Sequence, residues 1–143
     1  MRRDVPTVSM PDYLAEVDVD TLQQASPLEV LDKAAAQMDQ RTRGLVQAKI
    51  YLAPFLGTIR YTFYLVIPTL NDYTDPLFYV WTSQPDRGYP VYLLESGTKQ
   101  DNQKQCDNAE ALAVCLEQVF SSSWAMSRIR QWIDMAEERR IAR

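Results

Sequence analysis

Three short segments of this chain hold residue types that catalysis or ligand binding uses. Residues 71–75, NDYTD, offer two carboxylates and an amide, which are oxygen donors for a hard cation such as Ca²⁺. Residues 95–99, ESGTK, follow a predicted strand and are superficially similar to a phosphate-binding loop. The hydroxyl groups of Ser121, Ser122 and Ser123 could act as nucleophiles if a base lay beside them.

Each segment departs from the motif that would make it a site. NDYTD lacks the twelve-residue calcium-loop pattern and its closing glutamate, and Asx residues before a proline are common in turns. ESGTK lacks the full G-x-x-x-x-G-K-[ST] pattern, and no helix is predicted directly after Lys99. A serine run between helical segments is typical of a cap or a kink. We therefore predict no metal site, no cofactor site and no catalytic residue.

Histidine is absent from the sequence. This excludes Ser-His-Asp and Cys-His catalysis, imidazole metal ligands and histidine pH switching. The two cysteines, Cys106 and Cys115, lie nine residues apart and match no metal or redox spacing. Cys115 falls in a helical apolar pattern, which predicts a buried free thiol and a reducing compartment. The protein is accordingly predicted not to be an enzyme.

Acidic residues are concentrated at the start of the chain. Residues 1–39 hold eight acids against three bases, whereas residues 40–143 hold eleven acids against twelve bases. A nucleic-acid-binding protein usually shows the opposite bias, so we do not expect DNA or RNA as a partner. The longest apolar stretch, residues 61–70, is about half of what spans a bilayer, and no secretory signal is evident. We predict a cytoplasmic protein with no membrane segment.

The predicted fold class is α+β, with an N-terminal helix, a four-stranded antiparallel meander and one or two C-terminal helices packed on the sheet. Residues 1–25 read either as an acidic arm or as an edge strand, and residues 26–143 as a single domain. Ser26 and Gly44 bound the first helix. Period-two patterns predict the strands, and a polar loop then leads to the final helices. The strands are expected at residues 45–52, 58–67, 77–83 and 91–96, the loop at 96–108 and the last helix at about 124–140.

Aromatic residues are crowded into the predicted sheet. Eleven of the fifteen lie between Tyr51 and Tyr92, where rings suit a pleated, half-buried surface. The second strand is apolar on one face but carries Tyr64 and Val66 on the other. Either both faces of the sheet are covered, or part of the outer face is an exposed aromatic patch of the kind that marks contact sites.

These patterns favour a non-enzymatic protein-interaction module, such as an inhibitor, an immunity or antitoxin-type binder or a chaperone-like adaptor. It would bind another protein through its acidic N-terminal segment and its aromatic sheet face, and the sequence leaves a homodimer open. The alternative is a small-ligand-binding protein or enzyme with a Tyr/Trp-lined pocket between sheet and helices, with Arg60 or Glu95 as polar anchor. The candidate partner-binding residues are Tyr64, Tyr73, Tyr79, Trp81, Tyr89 and Trp124.

Overall fold

Three helices and five strands make up the described part of the chain. The computed structural model describes residues 25–85, 87–96 and 102–142, so the predicted acidic arm or edge strand falls almost wholly outside it. None of the helices in these ranges is long and apolar enough to cross a bilayer. In chain order the elements are α1 (Pro27–Arg41), β1 (Gln47–Phe55), β2 (Thr58–Ile67), a 3₁₀ turn (Pro68–Leu70), β3 (Tyr73–Thr82), β4 (Val91–Glu95), β5 (Lys104–Cys106), α2 (Ala109–Ser121) and α3 (Ser123–Ala142).

The strands form one antiparallel meander in which each strand pairs with its neighbours along the chain. The predicted α+β class and antiparallel sheet are confirmed, but the predicted count of four strands is wrong. The fifth strand, β5, comes from the polar segment that the sequence assigned to a loop. It contains three residues and pairs with β4 through Val91 opposite Cys106 and Leu93 opposite Lys104. Backbone pairing with β4 holds β5 in place. Two of its three residues are polar and exposed, so its sequence shows no alternation of apolar and polar residues from which a strand could be predicted.

Local hydrogen bonds fix both ends of α1. The Ser26 hydroxyl accepts a hydrogen bond from the Glu29 amide at 3.2 Å, and the Glu29 carboxylate accepts one from the Ser26 amide at 3.4 Å, a complete capping box. Beyond the helix, the buried Thr42 hydroxyl donates to the Val46 carbonyl at 2.6 Å and accepts from the Val46 amide at 3.2 Å. These two hydrogen bonds between the Thr42 side chain and the Val46 backbone set the direction in which the chain enters β1.

All three helices pack on the same face of the sheet. A single apolar cluster joins their buried side chains to the inward-facing residues of the strands. At its centre the Phe63 and Phe78 rings stack with centroids 4.6 Å apart, and Phe120 of α2 meets both rings edge-on at 5.6 and 6.0 Å. We call this the inner face.

A β-bulge changes the alternation of β3. Phe63 pairs with Phe78 but Tyr64 pairs with Pro76, which leaves Leu77 without a partner in the ladder. Before Leu77 the odd-numbered residues of β3 therefore face the helices, and after it the even-numbered ones do. Asp75, opposite Leu65, is one of the residues that face the helices. The bulge thus places a carboxylate on the inner face.

The Asp75 carboxylate attaches α3 to the sheet. It is 4% exposed and accepts hydrogen bonds from Nε of Arg128 at 2.9 Å, from Nη2 of Arg128 and from the Trp132 indole at 2.6 Å. This bidentate pair with a third donor satisfies a charge that would be costly to bury alone. A weaker bond runs from the Thr69 hydroxyl to the Ala136 carbonyl at 3.4 Å.

Replacing Arg128 should therefore destabilise the protein far more than replacing an arginine elsewhere on α3. We expect Arg128→Met to lower the free energy of unfolding by about 3 kcal/mol, because it leaves a buried carboxylate without its cation. The same change at Arg140, which pairs with Glu137 and is 59% exposed, should cost less than about 1 kcal/mol. Urea denaturation of both variants measures the difference. Equal losses would mean that the Asp75 pair does not hold α3.

Candidate functional site

The face of the sheet opposite the helices carries a group of aromatic side chains. The strand register places Tyr51 beside Thr62 and Tyr79 on the other side of Thr62, while Arg60, Trp81 and Tyr92 form the next row. We call this the outer face. Its main members are Lys49, Tyr51, Arg60, Thr62, Tyr64, Pro76, Tyr79, Trp81, Tyr92 and Leu94.

These side chains remain accessible because α1, α2 and α3 all pack on the other side. Tyr51 is 59% exposed, and the remaining rings are half-buried. The Trp81 and Tyr92 rings lie 6.1 Å apart, and the Arg60 guanidinium lies 5.4 Å from the centre of the Tyr79 ring. Val66 is the one buried side chain among the outward positions of β2. Ring-to-ring and cation–π contacts thus order the outer face, and no described helix covers it.

The charge of the outer face differs in sign from that of the whole chain. Lys49 and Arg60 are its charged members, and no carboxylate occupies an outward position of the described strands. The carboxylates of β3 and β4, Asp75 and Glu95, pair with Leu65 and Phe78 and so belong to the inner side. A chain with net charge −4 therefore presents an aromatic and cationic sheet face.

The β1–β2 hairpin ends in an unusual turn. The sequence predicted a longer connection, but β1 runs to Phe55 and only Leu56 and Gly57 link it to β2. Both residues have positive φ, 48° and 79°, as a type I′ turn requires. Asn, Asp or Gly is the usual first residue of such a turn, since a side chain like that of leucine is strained there. Leu56 is also 88% exposed, so neither backbone geometry nor burial accounts for a leucine.

Further apolar surface adjoins that turn. Tyr51, a member of the outer face, is 59% exposed, and Leu52, which pairs with Tyr61 and therefore points to the inner side, is 44% exposed. We call residues 52–57 the hairpin tip. Since Arg60 lies opposite Ala53, the tip continues the outer face beyond the row of Arg60 and Trp81.

Three of the predicted partner-binding residues, Tyr64, Tyr79 and Trp81, lie together on the outer face. Sequence reasoning did not include Tyr51 and Tyr92 among the candidates, although each is an outward residue between inward ones. The alternation that predicted strands β1 and β4 was the signal that could have found them.

The structure places the other three predicted residues elsewhere. Tyr73 lies on the helix side of β3, with its ring 5.1 Å from that of Trp132. Trp124 lies on α3, where the Arg128 guanidinium is 5.2 Å from its ring. Tyr89, between β3 and β4, donates a hydrogen bond to the Ala25 carbonyl at 3.1 Å and packs against the core.

Several of the residues weighed for chemistry have structural roles in the described ranges. Ser122 ends α2 and begins α3, since its hydroxyl donates to the Val119 carbonyl at 2.7 Å and accepts from the Ala125 amide at 3.2 Å. Asn71 and Asp72 form a left-handed turn with φ of 58° at each residue. Within the described residues no group of three or more Cys, Asp or Glu side chains could hold a metal ion.

The polar anchors considered for a ligand pocket do not converge. Arg60 lies on the outer face, whereas Glu95 is opposite Phe78 on the inner side. The three phenylalanine rings occupy the centre of the space between sheet and helices. A depression of about 140 Å³ at the β4–β5 edge is lined by Leu93, Glu95, Asn102 and Lys104, without an aromatic side chain.

Comparison with known proteins adds no function to this geometry. No protein-family model, no curated protein and no solved structure matches the chain.

Proposed function

We propose that this protein is a non-enzymatic interaction module that binds another protein through its outer face and hairpin tip. The observation that carries the proposal is the set of five aromatic side chains on a sheet face that no described helix covers. Contiguous exposed apolar surface on a soluble domain typically marks a contact site, and Trp, Tyr and Arg are its commonest anchors. An inhibitor, an immunity or antitoxin-type binder and a chaperone-like adaptor all work in this way.

The dimensions of the outer face suit a protein partner. The five strands hold 37 residues, so at about 3.3 Å per residue their summed length is roughly 120 Å, and neighbouring strands lie about 4.8 Å apart. The product, about 600 Å², approaches the roughly 800 Å² that each partner contributes to a standard interface. The hairpin tip adds apolar area at one end of this surface.

The charges favour a partner with an acidic contact surface. Lys49 and Arg60 are the charged groups of the outer face, and the guanidinium of Arg60 is already held against the Tyr79 ring. A partner carboxylate can pair with such an ordered guanidinium at a smaller entropic cost than with a mobile one. That the acidic segment at residues 1–25 also contributes contacts stays a prediction, since it lies almost wholly outside the described residues.

Leu56 supports the proposal because it breaks two local rules at once. A leucine with φ of 48° carries backbone strain, and its exposed side chain recovers no burial energy in the free protein. Residues kept against local preference are found most often at functional positions. Insertion of Leu56 into an apolar pocket of the partner would account for both features.

A photo-crosslinking phenylalanine analogue at position 79 should form an adduct with the partner in a lysate of the source organism. The same analogue at position 73 is the matched control, because Tyr73 is more exposed, at 53%, but lies on the helix side. We expect an adduct from position 79 only, and mass spectrometry then identifies the partner. Equal adducts from both positions, or none from position 79, would contradict the proposal. Adducts with a second copy of this chain would replace it by self-association.

Leu56→Asn should stabilise the free protein and weaken binding to the crosslinked partner. Asparagine adopts positive φ more readily, so the free energy of unfolding should rise by about 0.5–1 kcal/mol. Losing a buried leucine contact should reduce affinity about tenfold or more. Met135→Asn, an exposed apolar position on α3, is the control and should lower stability slightly while leaving affinity unchanged. Unaltered affinity of Leu56→Asn would remove the hairpin tip from the interface.

A further inference from the structure

The two cysteines meet although their sequence spacing fits no motif. Cys106 ends β5, and Cys115 lies in the second turn of α2. The chain reverses between them at Asp107 and Asn108, which brings the two sulfur atoms to 3.0 Å. Both are free thiols, and this distance is only about 1 Å longer than a disulfide bond.

The two thiols differ in access to solvent. Cys106 is fully buried, whereas Cys115 is half-buried at the margin of the apolar stripe of α2. A small oxidant can therefore reach the Cys115 sulfur, and the Cys106 sulfur is in contact behind it. This is the arrangement of a reactive cysteine and a resolving cysteine.

The surrounding groups favour the thiolate at Cys115. A hydrogen bond from the Cys106 thiol lowers the pKa of Cys115 to about 7, an effect that the Lys104 ammonium assists and partial burial opposes. The Lys104 ammonium also donates to the Gln118 side chain at 3.4 Å, one helical turn beyond Cys115. The pKa of Cys106 is raised, first by the same hydrogen bond, then by burial and by the charges of Cys115 and Asp107, against a smaller lowering by Lys104. At neutral pH the more accessible sulfur, that of Cys115, is nucleophilic and the buried sulfur of Cys106 keeps its proton.

We propose that Cys115 and Cys106 form an oxidation site at which a hydroperoxide converts the two thiols into an intramolecular disulfide. In the first step the Cys115 thiolate attacks the terminal peroxide oxygen; an S–O bond forms, the O–O bond breaks and the alcohol leaves after taking up a proton. In the second step Cys106 gives up its proton and its sulfur attacks the Cys115 sulfenic acid. The S–S bond forms, the S–O bond breaks and water leaves with that proton. Two thiols and one hydroperoxide thus give one disulfide, one alcohol and one water.

The bond would join the edge strand β5 covalently to α2. It closes a loop of ten residues, which restricts the unfolded chain and should raise the melting temperature by about 5 °C. None of the outer-face residues takes part, so this site is independent of the proposed binding function.

The test treats the reduced full-length protein with an equimolar amount of hydrogen peroxide. We expect a mass loss of two hydrogen atoms, a peptide crosslinked through Cys106 and Cys115, and the rise in melting temperature, all reversed by dithiothreitol. Cys106→Ala should instead stop at a sulfenic acid on Cys115 that dimedone traps, and Cys115→Ala should react slowly. Crosslinks between molecules, or oxidation no faster in the folded protein than in urea, would overturn the proposal.

The pH dependence of alkylation gives a second readout that needs no oxidant. Because the thiolate is the reactive form, iodoacetamide labelling of Cys115 should be slow below pH 7 and reach half its maximal rate near pH 7. In urea the midpoint should move to about 8.5, the value of a free cysteine. Cys106→Ala should also raise the midpoint, since the hydrogen-bond donor is lost. A midpoint that is the same in the folded protein and in urea would contradict activation by Cys106.

Discussion

The packing of helices from both ends of the chain on one face of the meander is the constraint on which the remaining features depend. α1 precedes the strands and α2 and α3 follow them, yet their buried side chains belong to a single cluster against the inner face. Each helix has one apolar stripe, and the inner face of the sheet buries the stripes of all three helices. None of the three described helices therefore covers the aromatic residues at the alternate strand positions. The proposed binding surface follows directly from this one-sided burial.

One irregularity in β3 maintains that arrangement. The bulge at Leu77 turns Asp75 toward the helices, and its carboxylate receives three hydrogen bonds from Arg128 and Trp132. An ionised side chain on the inner face would be destabilising without these donors, so its position specifies where α3 must lie. Ser122 contributes to the same placement because it caps the helices on both of its sides.

Sequence patterns predicted the elements that make local or alternating contacts. The capping box at Ser26 located α1, and period-two alternation located the first four strands, whereas β5 is too short to show a period. Asn108 caps α2, but the adjacent Asp107 is equally suitable by residue type, so sequence alone does not choose between them. Strict alternation along β3 places Tyr79 and Trp81 on the same face. The bulge at Leu77 shifts that alternation, so Tyr73, on the other side of the bulge, lies on the opposite face. The contact of Cys106 with Cys115 depends on how a strand packs against a helix, and neither pattern encodes that distance.

The two edges of the sheet differ in length, since β1 has nine residues and β5 has three. In the described part of the chain β1 pairs only with β2, so its other side holds main-chain donors and acceptors that another strand could extend. Two copies joined antiparallel through β1 would be related by a twofold axis perpendicular to the sheet. A rotation about that axis keeps the inner faces of both copies on the same side of the sheet. All six described helices would therefore lie on one side of a ten-stranded sheet. Both aromatic surfaces would then merge on the other side, doubling the contact area without a change of fold.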